Sequence, residues 1–452
     1  MQRDKSLEAS EYAAKKKAAL QKANAMRQER DEAKRGGDSA GVATSATVQS
    51  YRTAERIVIH RPDAMPALPS SSRVPSSSSY YSSSSSLPPP GDLFCSPPSD
   101  AAGREYDLSS RPLLCWSSFS NSSLRKREIV FGSADHALYS ISSVSPGHHP
   151  AAVVKMYTKQ FGHSDWVTAV THLSDGRVVS SAMDGKLCLW ELNKRRCSNL
   201  AYHTKSVSKV LCIGESVFLS ASYDGTVAAW NADGAQQPRA VLSGHKSPVI
   251  ELACRDGLVA SGGRDGAVIV WDLTSGEQLQ RVRGHEAPLT ALHIFSPSAS
   301  ASSLLLLSGA ADGTVKLWDP RSKQLVSSGV PHPGVPVTGL ESASGEMIFT
   351  SGASGGLLVF DRRKGFKTPD SALHNFEEAR NGVYCLARAT SSLFIGDGVG
   401  TVLCYDLSTM TLRYGLGSSR VGAVRCLAAF PDCRVLAVGN EDGKALIYDY
   451  LS

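Results

Sequence analysis

Four groups of residues carry the side chains of acid–base and nucleophilic chemistry at matching intervals: His163, Ser180, Asp184; His203, Ser220, Asp224; His245, Ser261, Asp265; and His285, Ser308, Asp312. Each group is closed by a tryptophan, Trp190, Trp230, Trp271 and Trp318, spaced 40, 41 and 47 residues apart. Ser, His and Asp are the parts of a hydrolytic relay, in which the imidazole takes the hydroxyl proton and the carboxylate orients the ring. One copy would support that chemistry. Four copies, each tied to an indole at repeat spacing, describe a structural unit instead. A carboxylate only accepts hydrogen bonds, an indole N–H only donates, and His and Ser do both. Such a set can be satisfied internally, and a satisfied polar network fixes one packing arrangement.

Other chemical patterns give less. The sequence has no G-x-S-x-G elbow, no H-E-x-x-H helix and no Walker loop. Gly396, Gly398 and Gly400 resemble a fragment of a dinucleotide-binding loop, but they sit on a hairpin with no following helix. Ten cysteines are scattered without a C-x-x-C pair, which signals neither a zinc site nor a disulfide framework and fits reduced, buried thiols. The expectation is a chain without catalytic residues, cofactor or metal.

The elements that position the four groups are visible in the same stretches: SSAMDGKLCLWEL, LSASYDGTVAAWNA, ASGGRDGAVIVWDL and LSGAADGTVKLWDP. Asp-Gly between two β-rich runs predicts a tight hairpin, because such turns demand positive φ. The register continues with substitutions, Phe360, Tyr405 and Tyr448 standing where the tryptophan stood, and an earlier unit places Asp135 in the turn and Ile141 at the strand end. Ser354 and Val399 replace the turn aspartate in two of the later units, and Val438 replaces the strand serine in the last. One small sheet cannot bury both its faces, so repeated sheets must stack on one another.

The motif and its period resemble the WD-repeat family, in which each repeat of ~40 to 45 residues forms a four-stranded blade. The resemblance covers about three quarters of the chain and implies an all-β fold, a β-propeller. Eight strand-ending motifs favour eight blades, while seven is the usual count in the family. The resemblance implies that each His, Ser, Asp and Trp set forms a buried hydrogen-bonded chain within its blade. It also implies that the ring closes with a strand from the N-terminal side, for which Arg104 to Leu108 and Arg56 to His60 are both candidates.

By the same resemblance the chain is expected to be a non-catalytic scaffold that holds proteins on one rim. The positions before the turn aspartate and beside the first strand's leading valine are here Trp166, Met183, Tyr223, Arg264, Tyr384, Arg425 and Glu441. Aromatic residues and arginine dominate interface hot spots, which makes this set a candidate partner-binding rim. A second reading comes from W-D-P-R, with Asp319 and Arg321, and its partial repeat at Asp361 and Arg363, which resemble the W-D-x-R box of substrate receptors of cullin-RING ubiquitin ligases. Binding of RNA or ribonucleoprotein is a third.

Residues 1–35 read as a charged helix, rich in Ala, Lys, Glu, Gln and Arg, with a thin apolar stripe. Residues 36–103 are Ser- and Pro-rich and predict a disordered linker, because they cannot bury enough apolar surface to offset the entropy of ordering. The propeller is placed at 104–452. The first 36 residues hold ten Lys or Arg against six Asp or Glu and so carry +4 of the net +6. The repeats are therefore close to neutral, with only short basic clusters such as Lys194, Arg195, Arg196 and Arg362, Arg363, Lys364, which counts against a nucleic-acid footprint. The N-terminus has no apolar run after its charges, and no stretch approaches ~18 apolar residues, so an intracellular protein, cytoplasmic before nuclear, is expected.

Overall fold

Asp-Gly turns set the unit of the fold. In the computed structural model Gly225 sits at φ 90°, between the second and third strands of its repeat, and the equivalent position of the first repeat is held by His136 at φ 73°. A non-glycine residue in this region is uncommon, and histidine is among the types that tolerate it. The structure describes residues 103–449, apart from 122–125, 143, 145–152, 158–161, 192–195, 235, 298–302, 344, 390, 420–421 and 431–434. The helix expected over 1–35, all of the linker expected over 36–103 except Gly103, and the candidate strand at Arg56 to His60 lie outside the described residues.

Eight antiparallel four-stranded sheets follow one another along the chain. Blade one runs through 113–156, blade two 167–200, blade three 207–243, blade four 249–283, blade five 289–329, blade six 337–376 and blade seven 383–417. Blade eight takes three strands from 424–449, and its fourth is the N-terminal strand Arg104–Asp107, paired with Lys444–Asp449 through Arg104 opposite Ile447 and Asp107 opposite Lys444. Arg104 bridges to Asp449 at 3.0 Å, and Lys444 pairs with Glu105. The first strands of successive blades touch in turn, and that of blade eight touches that of blade one, which closes an eight-bladed ring with these strands innermost.

The hydrophobic core is divided among the eight junctions between blades. Between blades three and four it holds Leu219, Val227 and Leu242 against Val249, Val259 and Trp271; between eight and one, Cys426, Ala437 and Ile447 against Leu113, Ile129 and Phe131. This is how the strands, apolar on both faces, are covered. The approach is close at second-strand glycines: a Cβ on Gly309 would lie 2.7 Å from Val337 Cγ1, and one on Gly396 2.5 Å from Val424 Cγ1. Real Cβ atoms do not pack so tightly, so the S-G and I-G dipeptides of the repeats record blade-to-blade contact. Among the described residues the one helical element is the short turn Pro369–Ser371, and no helix is long and apolar enough to cross a membrane.

Candidate functional site

The four His, Ser, Asp and Trp sets each converge within one blade. In blade three His203 Nε2 lies 2.8 Å from Ser220 Oγ, which also accepts the Trp230 indole N–H at 2.8 Å, while His203 Nδ1 lies 2.9 Å from Asp224. Blade two repeats this with His163, Ser180 and Trp190, though the His163 to Asp184 distance stretches to 3.4 Å. In blade five His285 and Trp318 meet Ser308 at 2.7 and 2.9 Å, but His285 Nδ1 reaches Asp312 only through the Thr314 hydroxyl, at 2.6 and 2.7 Å. Blade four keeps His245 and Trp271 on Ser261, both at 2.8 Å, yet makes no His245 to Asp265 bond: Nδ1 is buried without a partner, and Asp265 keeps the Ala267 amide bond that its counterparts in the other three blades also make.

The electrostatics follow from burial. Desolvation pulls His245 and His285 down to about 4, so both rings are neutral near pH 7. Burial alone would push Asp184 upward, but hydrogen bonds from His163 and from the Ser164 and Lys186 amides outweigh it and bring the carboxyl down to about 2. All four serines are fully buried, so none presents a hydroxyl to a substrate. Among the described residues no cluster of His, Cys, Asp or Glu is arranged to hold a metal ion.

Outside these blades the same locations hold different polar pairs, which sequence reading missed. Blade six has His332 Nε2 3.0 Å from Thr350 Oγ1; the spacing of 18 residues, close to the 17 of His163 and Ser180, was the available clue. In blade seven Asp397, two residues ahead of Val399, accepts from the amides of Val399 and Thr401, yet burial still drives its carboxyl up to about 6. Blade eight substitutes Asn440, whose amide donates to Ser418 O at 2.8 Å and whose Oδ1 accepts from Ser418 Oγ at 3.1 Å.

The candidate rim residues lie at the turn end of the blades. A recurring backbone bond runs from the residue before the turn aspartate to the residue before the leading valine or leucine: Met183 to Trp166, Tyr223 to Ser206, Arg264 to Pro248 and Glu441 to Ala423, all 2.9 or 3.0 Å. The candidates thus lie at one end of the propeller, on blades two, three, four, seven and eight. Tyr384, Arg425 and Glu441 meet directly, with the Arg425 guanidinium 4.6 Å from the Tyr384 ring centre and 3.0 Å from Glu441 Oε1. Burial raises the Glu441 carboxyl, but the Ala423 amide and Arg425 more than reverse this, so it stays charged. Trp166, Met183 and Tyr223 are partly exposed and Arg264 is exposed.

Asp319, Arg321, Asp361 and Arg363 sit at the opposite end, after the third strands. Asp319 accepts from the Arg321 and Ser322 amides at 2.9 and 3.3 Å, Asp361 from the Arg363 amide at 2.8 Å, and Arg363 pairs with Glu346. Asp272 and Asp406 close the same turn in their own blades, so these carboxylates terminate strands.

With an eight-bladed propeller and its blade networks in place, comparison with known proteins gives the family. The model of the WD domain, G-beta repeat, matches residues 155–191, 236–272, 276–319 and 414–449. The chain carries WD repeats and folds as an eight-bladed β-propeller. It is 27% identical over 252 residues to telomerase protein component 1 of Mus musculus, a match that takes in 52% of this chain and 9% of that protein, so it spans about a tenth of that relative's length. It is 26% identical to a guanine nucleotide-binding protein subunit beta of Zea mays, over 72% of this chain and 92% of that one. Among solved structures the computationally designed Ika8 protein shares the fold, with a TM-score of 0.64, 24% identity, and coverage of 77% of this chain and 98% of the other.

Proposed function

We propose that the protein is a non-catalytic adaptor that captures partner proteins on the rim carrying Trp166, Met183, Tyr223, Arg264, Tyr384, Arg425 and Glu441. The observation that supports this reading most is the Tyr384, Arg425 and Glu441 cluster, in which blades seven and eight hold an arginine stacked and ion-paired at the surface. A guanidinium fixed before binding loses little conformational entropy when a partner arrives, which favours affinity. Propellers built of WD repeats generally serve as scaffolds for proteins, and buried serines in the blade networks agree with a role in stability.

The test is capture of partners by the full chain with Trp166→Ala and Arg425→Ala. Either change should weaken the main partner roughly ten-fold or more, with little shift of the melt. An unchanged partner set would refute the rim. The ligase-receptor reading rests on Arg321 and Arg363, since Asp319 and Asp361 are spent on turns; ligase components lost only with Arg321→Ala would favour it. The likeness to telomerase protein component 1 keeps a ribonucleoprotein setting as a second reading. Capture that collapses between roughly 50 and 200 mM salt would favour that reading. An intracellular, cytoplasmic setting belongs to the same proposal and is read by cell fractionation.

A further inference from the structure

Blade six differs from its neighbours at two positions that face one histidine. In blade three the Nδ1 of the histidine meets the turn aspartate directly, and in blade five it meets Thr314, the residue after the turn glycine, which relays to Asp312. The corresponding residues of blade six are Ser354 and Gly356, so carboxylate and hydroxyl are both gone. His332 is 5% exposed and keeps Nε2 on Thr350, but no described residue bonds its Nδ1. In the complete networks the aspartate holds the proton on Nδ1 and the hydroxyl donates to Nε2. With the aspartate absent and no indole N–H on Thr350, the neutral ring carries its proton on either nitrogen, and the Nδ1–H form has no protein acceptor.

The missing side chains leave space. A pocket of about 210 Å³ opens there, lined by His332, Ser354, Gly356 and Asn375 and flanked by Pro331 and Pro333. A Cβ on Gly356 would meet nothing within 4 Å. No charged side chain lines the pocket, so an entering anion meets no like charge in the lining. The contrast with blade four is informative: there the unbonded Nδ1 of His245 is sealed from solvent, whereas His332 borders an open cavity at the turn end of the ring.

We propose that this pocket takes an acidic side chain of a partner polypeptide, whose carboxylate accepts from His332 Nδ1–H and the Ser354 hydroxyl. The partner thereby supplies in trans the acceptor that Asp224 supplies within its own blade. A single carboxylate is favoured over a larger anion because the lining offers two donors, His332 Nδ1–H and the Ser354 hydroxyl, and no cationic side chain to balance further charge. The site is separate from Trp166 and Arg425, so failure of the rim reading leaves it standing and its own failure leaves the rim untouched.

The test uses the full chain with ring-¹⁵N histidine, the His332 resonances assigned by their loss in His332→Gln. N-acetyl-aspartate N-methylamide, its asparagine counterpart and sodium acetate are each titrated at neutral pH. The aspartate compound should shift the His332 nitrogens saturably and bind roughly ten-fold more tightly than the asparagine compound, the gain expected of a charge-assisted hydrogen bond. Ser354→Asp and Gly356→Thr each return an internal acceptor and should abolish the shift while melting as cooperatively as the parent. No saturable shift, equal binding of the asparagine compound, or binding that survives in both variants would overturn the site. Acetate binding as tightly as the aspartate compound would overturn the polypeptide as occupant and leave a free carboxylate.

Discussion

Replacing Asp224 with alanine tests whether the carboxylate-to-imidazole link stabilises a blade. Asp224 accepts from His203 Nδ1 at 2.9 Å, Thr204 N at 3.1 Å, Thr226 N at 2.9 Å and Thr226 Oγ1 at 2.6 Å. Alanine leaves His203 Nδ1 unpaired, and the His203 side chain is 0% exposed. A buried donor without an acceptor costs about 1 to 3 kcal/mol. Thr204 is exposed and water replaces its partner, while Thr226 Oγ1, already 3.3 Å from His203 Nδ1, turns to recover part of the loss. The net is about 2 kcal/mol, which for a cooperative unit of roughly 350 residues lowers the melting temperature by about 3 °C. Asp265→Ala is the internal control, because His245 Nδ1 has no partner to lose; it should cost less than about 1 kcal/mol. Both are read by urea and thermal unfolding of the full chain. Equal losses for the two variants would refute the link as the source of stability.

Acid should weaken the fold in two stages. His245, His285 and His332 are held by burial near 4 against 6.5 when free, so their contribution is complete above pH 6.5 and is lost as the pH falls toward 4; each His→Gln variant should flatten the slope of urea midpoint against pH by about one proton. Asp184, lowered to about 2 from 3.8 because its hydrogen bonds outweigh desolvation, contributes above pH 3.8 and is lost between 3.8 and 2, a loss that Asp184→Asn removes from the acid titration. A chain starting at Ser109 lacks the strand Arg104–Asp107 and its Arg104 to Asp449 pair, and should melt roughly 5 °C lower, while a chain starting at Gly103 melts with the parent. Ala267→Thr gives blade four the hydroxyl that blades three and five possess and should add about 1 kcal/mol by calorimetry.

Blade architecture was legible because three features repeat together: the Asp-Gly turn, the closing aromatic residue and the serine ten residues before it. Each is a local demand, for positive φ, for a large apolar plug and for an acceptor of the indole N–H. The strand that closes the ring was less legible, since Arg104 to Leu108 and Arg56 to His60 are both short and β-prone; charge pairing of Arg104 with Asp449 and of Glu105 with Lys444 is what distinguishes the first in space. Asp397 escaped because it acts from two residues earlier than the motif allows. His332 escaped because its partner is threonine and the closing residue, Phe360, has no N–H to mark the set.

A complete motif also does not guarantee a complete network, and one residue outside it accounts for the difference. The position after the turn glycine is Thr226 in blade three, where aspartate and histidine meet at 2.9 Å, and Thr314 in blade five, where the hydroxyl itself bridges them. It is Lys186 in blade two, where the distance grows to 3.4 Å, and Ala267 in blade four, where the bond is absent. A threonine hydroxyl at this point faces the imidazole and donates to the carboxylate, linking the two; lysine and alanine offer no such hydroxyl, while in all four blades the carboxylate accepts from the backbone amide of this residue. Gly356 carries the series to its end in blade six, where the turn aspartate is gone as well and the donor faces a cavity. The residue after the turn glycine thus varies with what meets the histidine's second nitrogen, from a threonine hydroxyl in blades three and five to an open cavity in blade six.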